Sequence, residues 1–530
     1  MSDARSRVAS HGLGDVIHRT ASRIGGKTAL IDADAHVSFT FAELDAVVDG
    51  IAAAMQADGL VKGDVVLGAL RNCWQAIALP FAAAKAGIVW APATPLLGGA
   101  ELAALIRLVR PRAVVAGSHA LDAADSALEG AGAGNIVRLC VGARAPGWHD
   151  VARWTDHRGT PAPVDVADDD VIRYMFTSGT SSATKAVMLT SRAILWQYAS
   201  AIQGCGMTAD DVELHIMPLH HCAQLDAFCG PDLMLGATGV VLVSPTPARI
   251  IAAIAEYGIT KLFAVPTTWI DLLHSPEFDA GVLGGLRKGY CGAAAMPVPV
   301  LEEIARVLPG LRLQNLYGLT EMAPFATSLD PADQMTHAGS VGAAGLAIEM
   351  AILDEHDQAV ADGVVGEIAF RSPQACQGYL HDEAATAALF RGGWLHTGDL
   401  GYVTEGGRLW FVDRIKDTVN IGGEMVASRE VEECIYALPG VHECAVIAVP
   451  DARTVEALWA IVVPRSGRTL TPDEVAEHVR AHLARYKVPR RVVIADELPK
   501  NASGKILKRE LRERYAGVTS TASPRRTPTR

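Results

Sequence analysis

The chain has 530 residues, of which 50% are hydrophobic and 20% are charged, and its formal net charge is −12. This length is too great for one small hydrophobic core, so we expect two or more domains. The acidic balance disfavours a nucleic-acid partner, because a phosphate backbone attracts clustered Lys and Arg.

Short β-branched runs alternate with longer Ala-rich stretches of helical period along most of the chain. A capping box formed by Thr40 and Glu43 predicts a helix that ends near Gly59. The β-branched runs lie at 64–70, 112–117, 171–176, 239–244 and 259–265. This alternation is typical of parallel sheets that are covered by helices.

The pattern becomes denser after Arg414. Three apolar runs, at 444–449, 458–463 and 491–496, surround a helix that opens at the capping box of Thr471 and Glu474. They predict a compact α+β module of about a hundred residues, which is an ordinary domain size. We therefore divide the chain into domains at 1–414 and 415–515, followed by a disordered tail at 516–530 that has no apolar periodicity.

Neither cysteine usage nor apolar runs indicate export or membrane insertion. The nine cysteines form no C-x-x-C pair and are interpreted as reduced thiols of a cytoplasmic protein. The N-terminus is charged and lacks the apolar core of a signal peptide. The longest apolar stretch, 233–248, contains two Gly and two Pro, so it predicts a buried strand with its turns and not a membrane span.

A loop rich in hydroxyl groups follows the run at 171–176. Its members are Thr177, Ser178, Gly179, Thr180 and Ser181, and then Lys185. Such N–H and O–H groups can surround the β- and γ-phosphates of a nucleotide, although an ordinary Ser/Thr-rich turn has the same composition. The Walker pattern G-x-x-x-x-G-K-S/T is absent, which disfavours a conventional P-loop NTPase, and no G-x-G-x-x-G follows a strand, which disfavours a dehydrogenase.

Four further polar segments follow this loop: Y-G-L-T-E at 317–321, W-L-H-T-G-D at 394–399, D-R-I-K-D-T-V-N-I-G-G-E at 413–424 and P-K-N-A-S-G-K at 499–505. The five segments in this order resemble the adenylate-forming superfamily, which includes fatty-acid and aryl acyl-CoA synthetases, luciferases and peptide-synthetase adenylation domains. The resemblance covers the chain from residue 40 to Lys505. It implies an α/β fold with a large N-terminal domain of helix-covered parallel sheets, a barrel-like subdomain, and a small mobile α+β C-terminal domain.

The resemblance also implies roles for individual residues around the nucleotide. Tyr317 would stack on adenine, Thr320 would bond the α-phosphate, and Glu321 would hold Mg²⁺ through oxygen, the ligand type that this ion prefers. In the alternative, both residues have only structural roles: the tyrosine is a packed aromatic, and the glutamate is a charge at the start of a helix. Further contacts would come from Gly292 and Ala293 at the adenine and acyl pocket, and from Asp399 and Arg414 at the ribose.

The C-terminal motifs resemble those that alternate between two half-reactions. Lys505 would reach the adenylating centre, and Lys416 would be the hinge that absorbs most of the dihedral change. In the second pose Gly422 and Gly423 would line a tunnel for a thiol, where residues without Cβ allow close approach. Elsewhere in a chain, D-R-I-K-D would be interpreted as a solvated charge run.

The segment P-L-H-H-C-A-Q at 218–224 resembles the part of the family that carries a histidine beside the acyl carboxylate, and His221 aligns with it. A metal site formed by His215, His220, His221 and Cys222 is disfavoured, because these residues lack helical i, i+4 spacing and an added carboxylate. Cys222 and Trp269 are candidates for pocket walls or for core positions.

The phosphate loop departs from the family pattern S-G-T-T-G-x-P-K-G. Ser182 and Ala186 stand where Gly is usual, and Thr184 stands where Pro is usual. The loss of two glycines restricts the backbone φ angles, so we expect either a different loop path or weaker ATP binding.

The resemblance predicts an ATP-dependent acyl-CoA ligase that uses ATP, Mg²⁺ and CoA. A carboxylate and ATP would give acyl-AMP and pyrophosphate, and CoA would then give the thioester and AMP. The alternatives are adenylation with a carrier protein or an amine as acceptor, activation of an unusual oxyanion such as nitrite, or a nucleotide-binding pseudoenzyme. Retention of both the hinge Lys416 and the mobile Lys505 argues against the last of these.

Overall fold

The computed structural model describes residues 12–134, 136–178, 184–292, 296–421, 424–451, 453–500 and 505–516. Seven of the predicted site or loop residues lie outside these ranges: Gly179, Thr180, Ser181, Ser182, Ala293, Gly422 and Gly423 are not described, nor is the segment 517–530. The chain divides into two compact units. The larger unit comprises Met1–Asp362, Ala369–Thr397 and Val403–Trp410, and the smaller unit comprises Gly363–Ile368, Gly398–Tyr402 and Phe411–Arg530.

An eight-stranded sheet lies in the larger unit. In spatial order its strands are Gly378–Tyr379, Thr184–Thr190, Val171–Ser178, Val89–Pro92, Val65–Ala69, Ala113–Gly117, Val137–Val141 and His149–Asp150. The last six are parallel to one another, and the first two add antiparallel pairs at one edge. Every residue of the central strands Val65–Ala69 and Ala113–Gly117 is buried, as continuous apolar runs covered on both faces should be.

A nine-stranded sheet also lies in the larger unit. Its spatial order is Ala343–Ala344, Phe325–Ser328, Arg312–Gly318, Lys288–Cys291, Lys261–Ala264, Val212–His215, Thr238–Val241, Thr28–Asp32 and Val37–Thr40. Six consecutive strands, from Arg312–Gly318 to Thr28–Asp32, are parallel. The apolar stretch at 233–248 contributes the buried strand Thr238–Val241, and the ends of two helices flank it.

Two smaller sheets follow in the chain. One has four strands in the order Glu349–Leu353, Gly366–Arg371, Leu395–Thr404 and Arg408–Arg414. The other has five strands in the order Glu424–Val426, Val419–Ile421, Val455–Pro464 and Val441–Asp451, with Arg491–Ile494 paired to Val455–Pro464. This second sheet forms the centre of the smaller unit. The predicted runs at 444–449 and 458–463 fall within its strands, and the run at 491–496 begins with the strand Arg491–Ile494 and extends two residues beyond it.

Helices connect the parallel strands and cover the sheets. The α-helices are Val16–Ile24, Phe41–Ala57, Trp74–Lys85, Gly99–Val109, Leu121–Gly130, Ala152–Thr155, Ser191–Gly204, Cys222–Gln224, Gly230–Leu235, Pro247–Tyr257, Pro266–Leu273, Ala280–Leu283, Val298–Val307, Glu383–Leu389, Ser428–Tyr436, Pro472–His482 and Lys508–Ala516. A π-helix spans Leu225–Cys229. The 3₁₀ turns are Leu13–Asp15, Ser118–Ala120, Thr320–Met322, Arg391–Gly393, Ile415–Asp417 and Arg485–Lys487.

The two predicted capping boxes are present. Thr40 Oγ1 accepts from the Glu43 N–H at 3.2 Å while the glutamate carboxylate accepts from the Thr40 N–H at 2.8 Å. Thr471 and Glu474 repeat this exchange, with Pro472 at the first helical position. The expectation of helix-covered parallel sheets with a smaller C-terminal domain is therefore confirmed. Within the described residues, no helix combines the length and apolarity needed to cross a bilayer.

Candidate functional site

The predicted phosphate loop connects two paired strands. Val171–Ser178 and Thr184–Thr190 run antiparallel, and their register places Thr177 directly opposite Lys185. The two residues therefore flank the ends of the loop, whose residues 179–183 lie outside the described ranges. A hairpin of this kind presents the threonine and the lysine on the same short stretch of sheet, at the point where the chain enters and leaves the loop.

Glu321 is held in place by a tyrosine from the neighbouring strand Gly378–Tyr379. The Tyr379 hydroxyl donates to Glu321 Oε1 at 2.8 Å, and the Lys185 ammonium lies 4.4 Å from the centre of the tyrosine ring. Burial, and then the charge of Glu321, raise the pKa of Tyr379 far above its ordinary value, so the hydroxyl keeps its proton and remains a donor. The three side chains form a continuous set, which we name the Glu321–Tyr379–Lys185 cluster.

Thr320 lies beside the turn that carries His221. The threonine is 8% exposed, and the Cys222 thiol donates to its hydroxyl at a sulfur–oxygen distance of 3.7 Å. His221 Nδ1 accepts from the Ala223 N–H at 3.2 Å, which caps the short helix Cys222–Gln224. Burial raises the pKa of Cys222 to about 12, so its thiol stays neutral and acts as a packing and donor group.

His220 is a second imidazole at this turn. Burial, and then the neighbouring His221, lower its pKa to about 3, so the ring is neutral at ordinary pH. Its Nδ1 atom is buried and has no hydrogen-bond partner among the described residues. A buried polar atom normally has a partner, so this nitrogen is a candidate contact for a bound ligand.

Tyr317 and Gly292 lie at the ends of adjacent strands: Tyr317 is near the end of Arg312–Gly318, and Gly292 follows Lys288–Cys291. The register between Lys288–Cys291 and Arg312–Gly318 pairs Cys291 with Asn315, so both residues lie at the carboxyl edge of the nine-stranded sheet. Ligands of open α/β sheets bind at this edge. A Cβ at Gly292 would lie 3.3 Å from the Leu316 carbonyl oxygen, and the Tyr317 ring lies 6.3 Å from that of the buried Phe370.

Asp399 and Arg414 come together within the smaller unit. Arg414 Nε lies 3.5 Å from Asp399 Oδ1, and the aspartate is only 7% exposed. Asp399 lies on the strand Leu395–Thr404, and Arg414 is the last residue of the neighbouring strand Arg408–Arg414. An oriented, largely desolvated carboxylate next to a guanidinium can accept hydrogen bonds from a pair of hydroxyls.

Lys505 belongs to the same group of charges. Burial of its amine, and then the positive charge of Arg414, lower its pKa to about 7 from the ordinary 10.5, while Asp399 acts in the opposite direction. Lys416 also contributes, and its own pKa is lowered by burial and by Arg414. The smaller unit thus brings four predicted site residues within electrostatic reach of one another.

Lys416 lies in the 3₁₀ turn Ile415–Asp417, which is tethered on both sides. The Thr418 N–H donates to the Arg414 carbonyl at 3.1 Å, and Arg512 Nη2 donates to Asp417 Oδ1 at 2.5 Å. The bonds that hold the turn are therefore made by the residues on either side of Lys416 and not by its own side chain.

The structure places the residues of the disfavoured metal site and the candidate pocket wall Trp269. Within the described ranges, His215, His220, His221 and Cys222 do not form a group of three ligands at metal-binding distance. Trp269 is 1% exposed and its Nε1–H donates to the Tyr290 carbonyl at 3.1 Å, so it is a core residue of the larger unit. All nine cysteines are free thiols, as expected.

Comparison with known protein families shows to which family the chain belongs. The AMP-binding enzyme family matches residues 17–380, and the AMP-binding enzyme C-terminal domain matches residues 430–505. The chain is an AMP-binding enzyme. The predicted membership of the adenylate-forming superfamily is confirmed, since the first match alone covers more than half of the chain.

Individual relatives of this AMP-binding enzyme align over nearly all of both chains. It is 33% identical to a feruloyl-CoA synthase of Amycolatopsis over 94% of this chain and 96% of the relative. It is 31% identical to the indoleacetate–CoA ligase of Aromatoleum aromaticum, over 96% of this chain and 99% of the relative. The structure of the amide bond synthetase McbA of Marinactinospora thermotolerans is similar with a TM-score of 0.84 and 29% identity, over 95% and 99% of the two chains.

One site residue of the AMP-binding enzyme escaped prediction from sequence. Tyr379 is 58 residues away from its partner Glu321, and its only local signal is the dipeptide Gly378–Tyr379. The strand pairing of Tyr379 with Val187 is what brings it to Lys185. No periodicity or polar motif of the segment indicates that role.

Proposed function

We propose that this AMP-binding enzyme is an ATP-dependent acyl-CoA ligase, which activates a carboxylic acid as acyl-AMP and transfers the acyl group to CoA. The structural observation that carries the proposal is the placement of Lys505 in the field of Asp399 and Arg414, because it joins a buried amine to a carboxylate suited to ribose hydroxyls. Similarity to two CoA ligases over nearly the whole chain supports CoA as the acceptor.

In the first half-reaction, a carboxylate oxygen attacks the α-phosphorus of ATP, and the bond between this phosphorus and the bridging oxygen breaks to release pyrophosphate. Negative charge grows on the departing oxygens, and fixed donors and cations stabilise it. We assign this task to Lys505 at the reacting phosphate and to Thr177 and Lys185 at the β- and γ-phosphates. Thr320 bonds the α-phosphate in this assignment, and His221 immediately precedes Cys222, whose thiol donates to the threonine.

Nucleotide positioning falls to residues at two strand edges. Tyr317 stacks on adenine, and Gly292 permits close approach because it has no Cβ. Asp399 accepts from the ribose hydroxyls while Arg414 fixes the orientation of its carboxylate. These assignments predict that substitution of Asp399 raises the KM for ATP more than it lowers kcat.

Mg²⁺ fits the Glu321–Tyr379–Lys185 cluster. One carboxylate oxygen of Glu321 accepts from Tyr379, and the other accepts no hydrogen bond from the described residues. Mg²⁺ takes oxygen ligands and is commonly held by one or two carboxylates together with substrate phosphates. When bound, it would neutralise the charge of the polyphosphate, and the chain's contribution is an oriented carboxylate oxygen.

The second half-reaction needs a rearrangement of the smaller unit. The CoA thiolate attacks the acyl carbon, the thioester bond forms, and AMP departs with the former carboxylate oxygen. We assign the backbone change between the half-reactions to Lys416, in the tethered turn Ile415–Asp417. Gly422 and Gly423 stay a prediction for the thiol path.

The names of the two CoA-ligase relatives favour an aromatic acid as substrate, since one is named for feruloyl-CoA and the other for indoleacetate. We propose an aryl or arylalkanoic acid, and a cytoplasmic location in keeping with nine free cysteines. An amine acceptor is the second candidate, because the chain is also similar to an amide bond synthetase.

The test is ATP-dependent pyrophosphate release by the purified chain over aromatic, short, medium and long carboxylates and nitrite. Each acid is measured alone, with CoA and with an amine, and products are identified by mass. A thioester from an aromatic acid is the expected result. An amide without a thioester would favour the second candidate, and pyrophosphate release with neither product would contradict both acceptors. Lys505→Ala should slow acyl-AMP formation by about a hundredfold or more, yet spare conversion of supplied acyl-AMP.

A further inference from the structure

Three metal-ligand side chains converge in the smaller unit, on two helices that the proposed reaction does not use. Cys434 is in the last turn of the helix Ser428–Tyr436, and His478 and His482 are on the helix Pro472–His482. One ligand atom from each of the three lies within 4.8 Å of the other two. In the part of the chain that the structure describes, this is the one such group of His, Cys, Asp or Glu side chains.

The two histidines have the spacing of a helical metal chelate. They are four residues apart, so they project from the same face of the helix, and their ring centres are 4.4 Å apart. Zinc motifs of the form H-E-x-x-H use this same i, i+4 pair on one helix face. The third side chain, Cys434, comes from another helix. It therefore adds a donor from a second side, which a histidine pair on one helix alone lacks.

Each imidazole also has the second contact that a metal-binding histidine normally has. His478 Nε2 lies 3.0 Å from the Cys434 carbonyl oxygen, and His482 Nδ1 lies 2.8 Å from the His478 carbonyl oxygen. A carbonyl only accepts, so these two nitrogens carry the hydrogens of the neutral rings. The lone pairs are therefore on His478 Nδ1 and His482 Nε2, and outer carbonyl contacts of this type orient metal-bound imidazoles.

We infer that Cys434, His478 and His482 form a zinc site that links the two helices of the smaller unit. A thiolate and two imidazoles are donors that suit Zn²⁺, and water would complete a tetrahedral set. In such a site, bonds of about 2.0–2.3 Å place the ligand atoms about 3.3–3.6 Å apart, so atoms that already lie within 4.8 Å of one another approach by no more than about 1.5 Å on binding. The exposure of His482 and partial burial of Cys434 leave a path for the ion.

Binding replaces the thiol proton of Cys434 by the metal and releases that proton to the solvent, with no change of oxidation state. An ordinary thiol is mostly protonated at neutral pH, so the metal-free site holds the proton. Glu430 lies one turn before Cys434 on the same helix. Glu430 is itself paired with Lys487, whose Nζ lies 2.6 Å from its Oε1. When Zn²⁺ replaces the proton, a cation comes near the Glu430 carboxylate, whose negative charge attracts it.

The consequence of binding is local stabilisation. The helix Ser428–Tyr436 also carries Glu432, which accepts from Lys508 at 2.7 Å, three residues after Lys505. A metal link to the helix Pro472–His482 stabilises the folded form of the module in proportion to its binding free energy. The site is distinct from the proposed magnesium position at Glu321, which has only oxygen donors.

The experiment uses the full chain without an affinity tag. Equilibrium dialysis against buffered Zn²⁺ measures stoichiometry and affinity, and Co²⁺ serves as a spectroscopic probe. We expect one Zn²⁺ per chain, and a tetrahedral Co²⁺ spectrum with a thiolate-to-metal charge-transfer band. Cys434→Ser should remove that band, and His482→Gln should weaken Zn²⁺ binding by about 10–100-fold or more, since loss of an outer partner alone costs this much.

Matched controls separate the site from adventitious binding. Cys73→Ser removes another partly exposed thiol, and His442→Gln removes another partly exposed imidazole of the same unit, so both should bind like the wild type. Zn²⁺ should raise the thermal midpoint of the wild type and of these controls but not of the Cys434 and His482 variants. Unchanged binding by His482→Gln, an octahedral Co²⁺ spectrum without the thiolate band, or no binding at submicromolar Zn²⁺ would each overturn the inference.

Discussion

The lowered pKa of Lys505 makes the first half-reaction sensitive to pH. Its value of about 7 arises from burial of the amine and from the positive charge of Arg414. If the ammonium form stabilises the departing charge, activity must follow the protonated fraction in the free enzyme. That fraction is about one half at pH 7, about one tenth at pH 8 and about one hundredth at pH 9 for a group with this pKa.

We therefore expect kcat/KM for ATP to fall by about fivefold from pH 7 to pH 8 and by about tenfold from pH 8 to pH 9, because kcat/KM reports groups of the free enzyme. The assay is pyrophosphate release at subsaturating ATP without CoA, so that the titration of the CoA thiol does not contribute. The lowered pKa favours the neutral amine, so the decline lies on the alkaline side and begins near pH 7.

Lys505→Arg removes the titration, since a guanidinium stays protonated in this range. The variant should be slower, but its kcat/KM should show no decline between pH 7 and pH 9. Lys500→Arg is the matched control, because it makes the same change on the same segment and can keep the ion pair with Glu443. A flat wild-type profile, or an unchanged decline in Lys505→Arg, would refute the assignment.

Three further predictions concern other parts of the chain. Tyr379→Phe should raise the Mg²⁺ concentration for half-maximal pyrophosphate release by about tenfold, because the loss of a hydrogen bond to a charged group changes affinity by about this factor. An unchanged Mg²⁺ dependence would contradict the role of the Glu321–Tyr379–Lys185 cluster. Lys261→Met leaves two buried carboxylates without their cation and should lower the free energy of unfolding by about 3–5 kcal/mol, as measured by urea denaturation; a change within error would show that the carboxylates are neutral. Lys416→Pro fixes one backbone dihedral and should spare acyl-AMP formation but impair thioester formation, and a normal CoA half-reaction would exclude this residue as the hinge.

The elements that could be predicted from the sequence are those whose pattern lies within a few neighbouring residues. The run at 64–70 has no alternation of polar and apolar residues, which predicts a strand buried on both faces, and Val65–Ala69 is such a strand. The capping boxes at Thr40 and Thr471 are likewise complete within four residues. The ordered series of polar motifs located Asp399, Arg414 and Lys505, which the smaller unit then brings together.

Contacts between distant segments were not predictable in this way. Lys261 is fully buried between Glu213 and Asp232, although lysine is almost never buried without such partners. The glutamate comes from the adjacent strand, where it is in register with Lys261, and the aspartate comes from the helix Gly230–Leu235. Both carboxylates are 29 or more residues away from Lys261 in the sequence, so only the folded sheet reveals the ion pairs.

A second buried ion pair connects the strand that leads into the phosphate loop with the π-helix that follows the turn of His221. Arg173 lies on the strand that leads into the loop, and its Nη1 donates to Asp226 Oδ1 on the π-helix Leu225–Cys229. Both side chains are fully buried, so their pairing recovers a large desolvation cost and adds little net stability. What such a pair provides is a fixed position, since neither charge can move without losing its partner in a region of low dielectric. π-Helices occur often at functional sites, and here one turn places Asp226 within electrostatic reach of Cys222, whose pKa the aspartate charge helps to raise. The pair is therefore better explained by the positions that it fixes than by the stability that it adds.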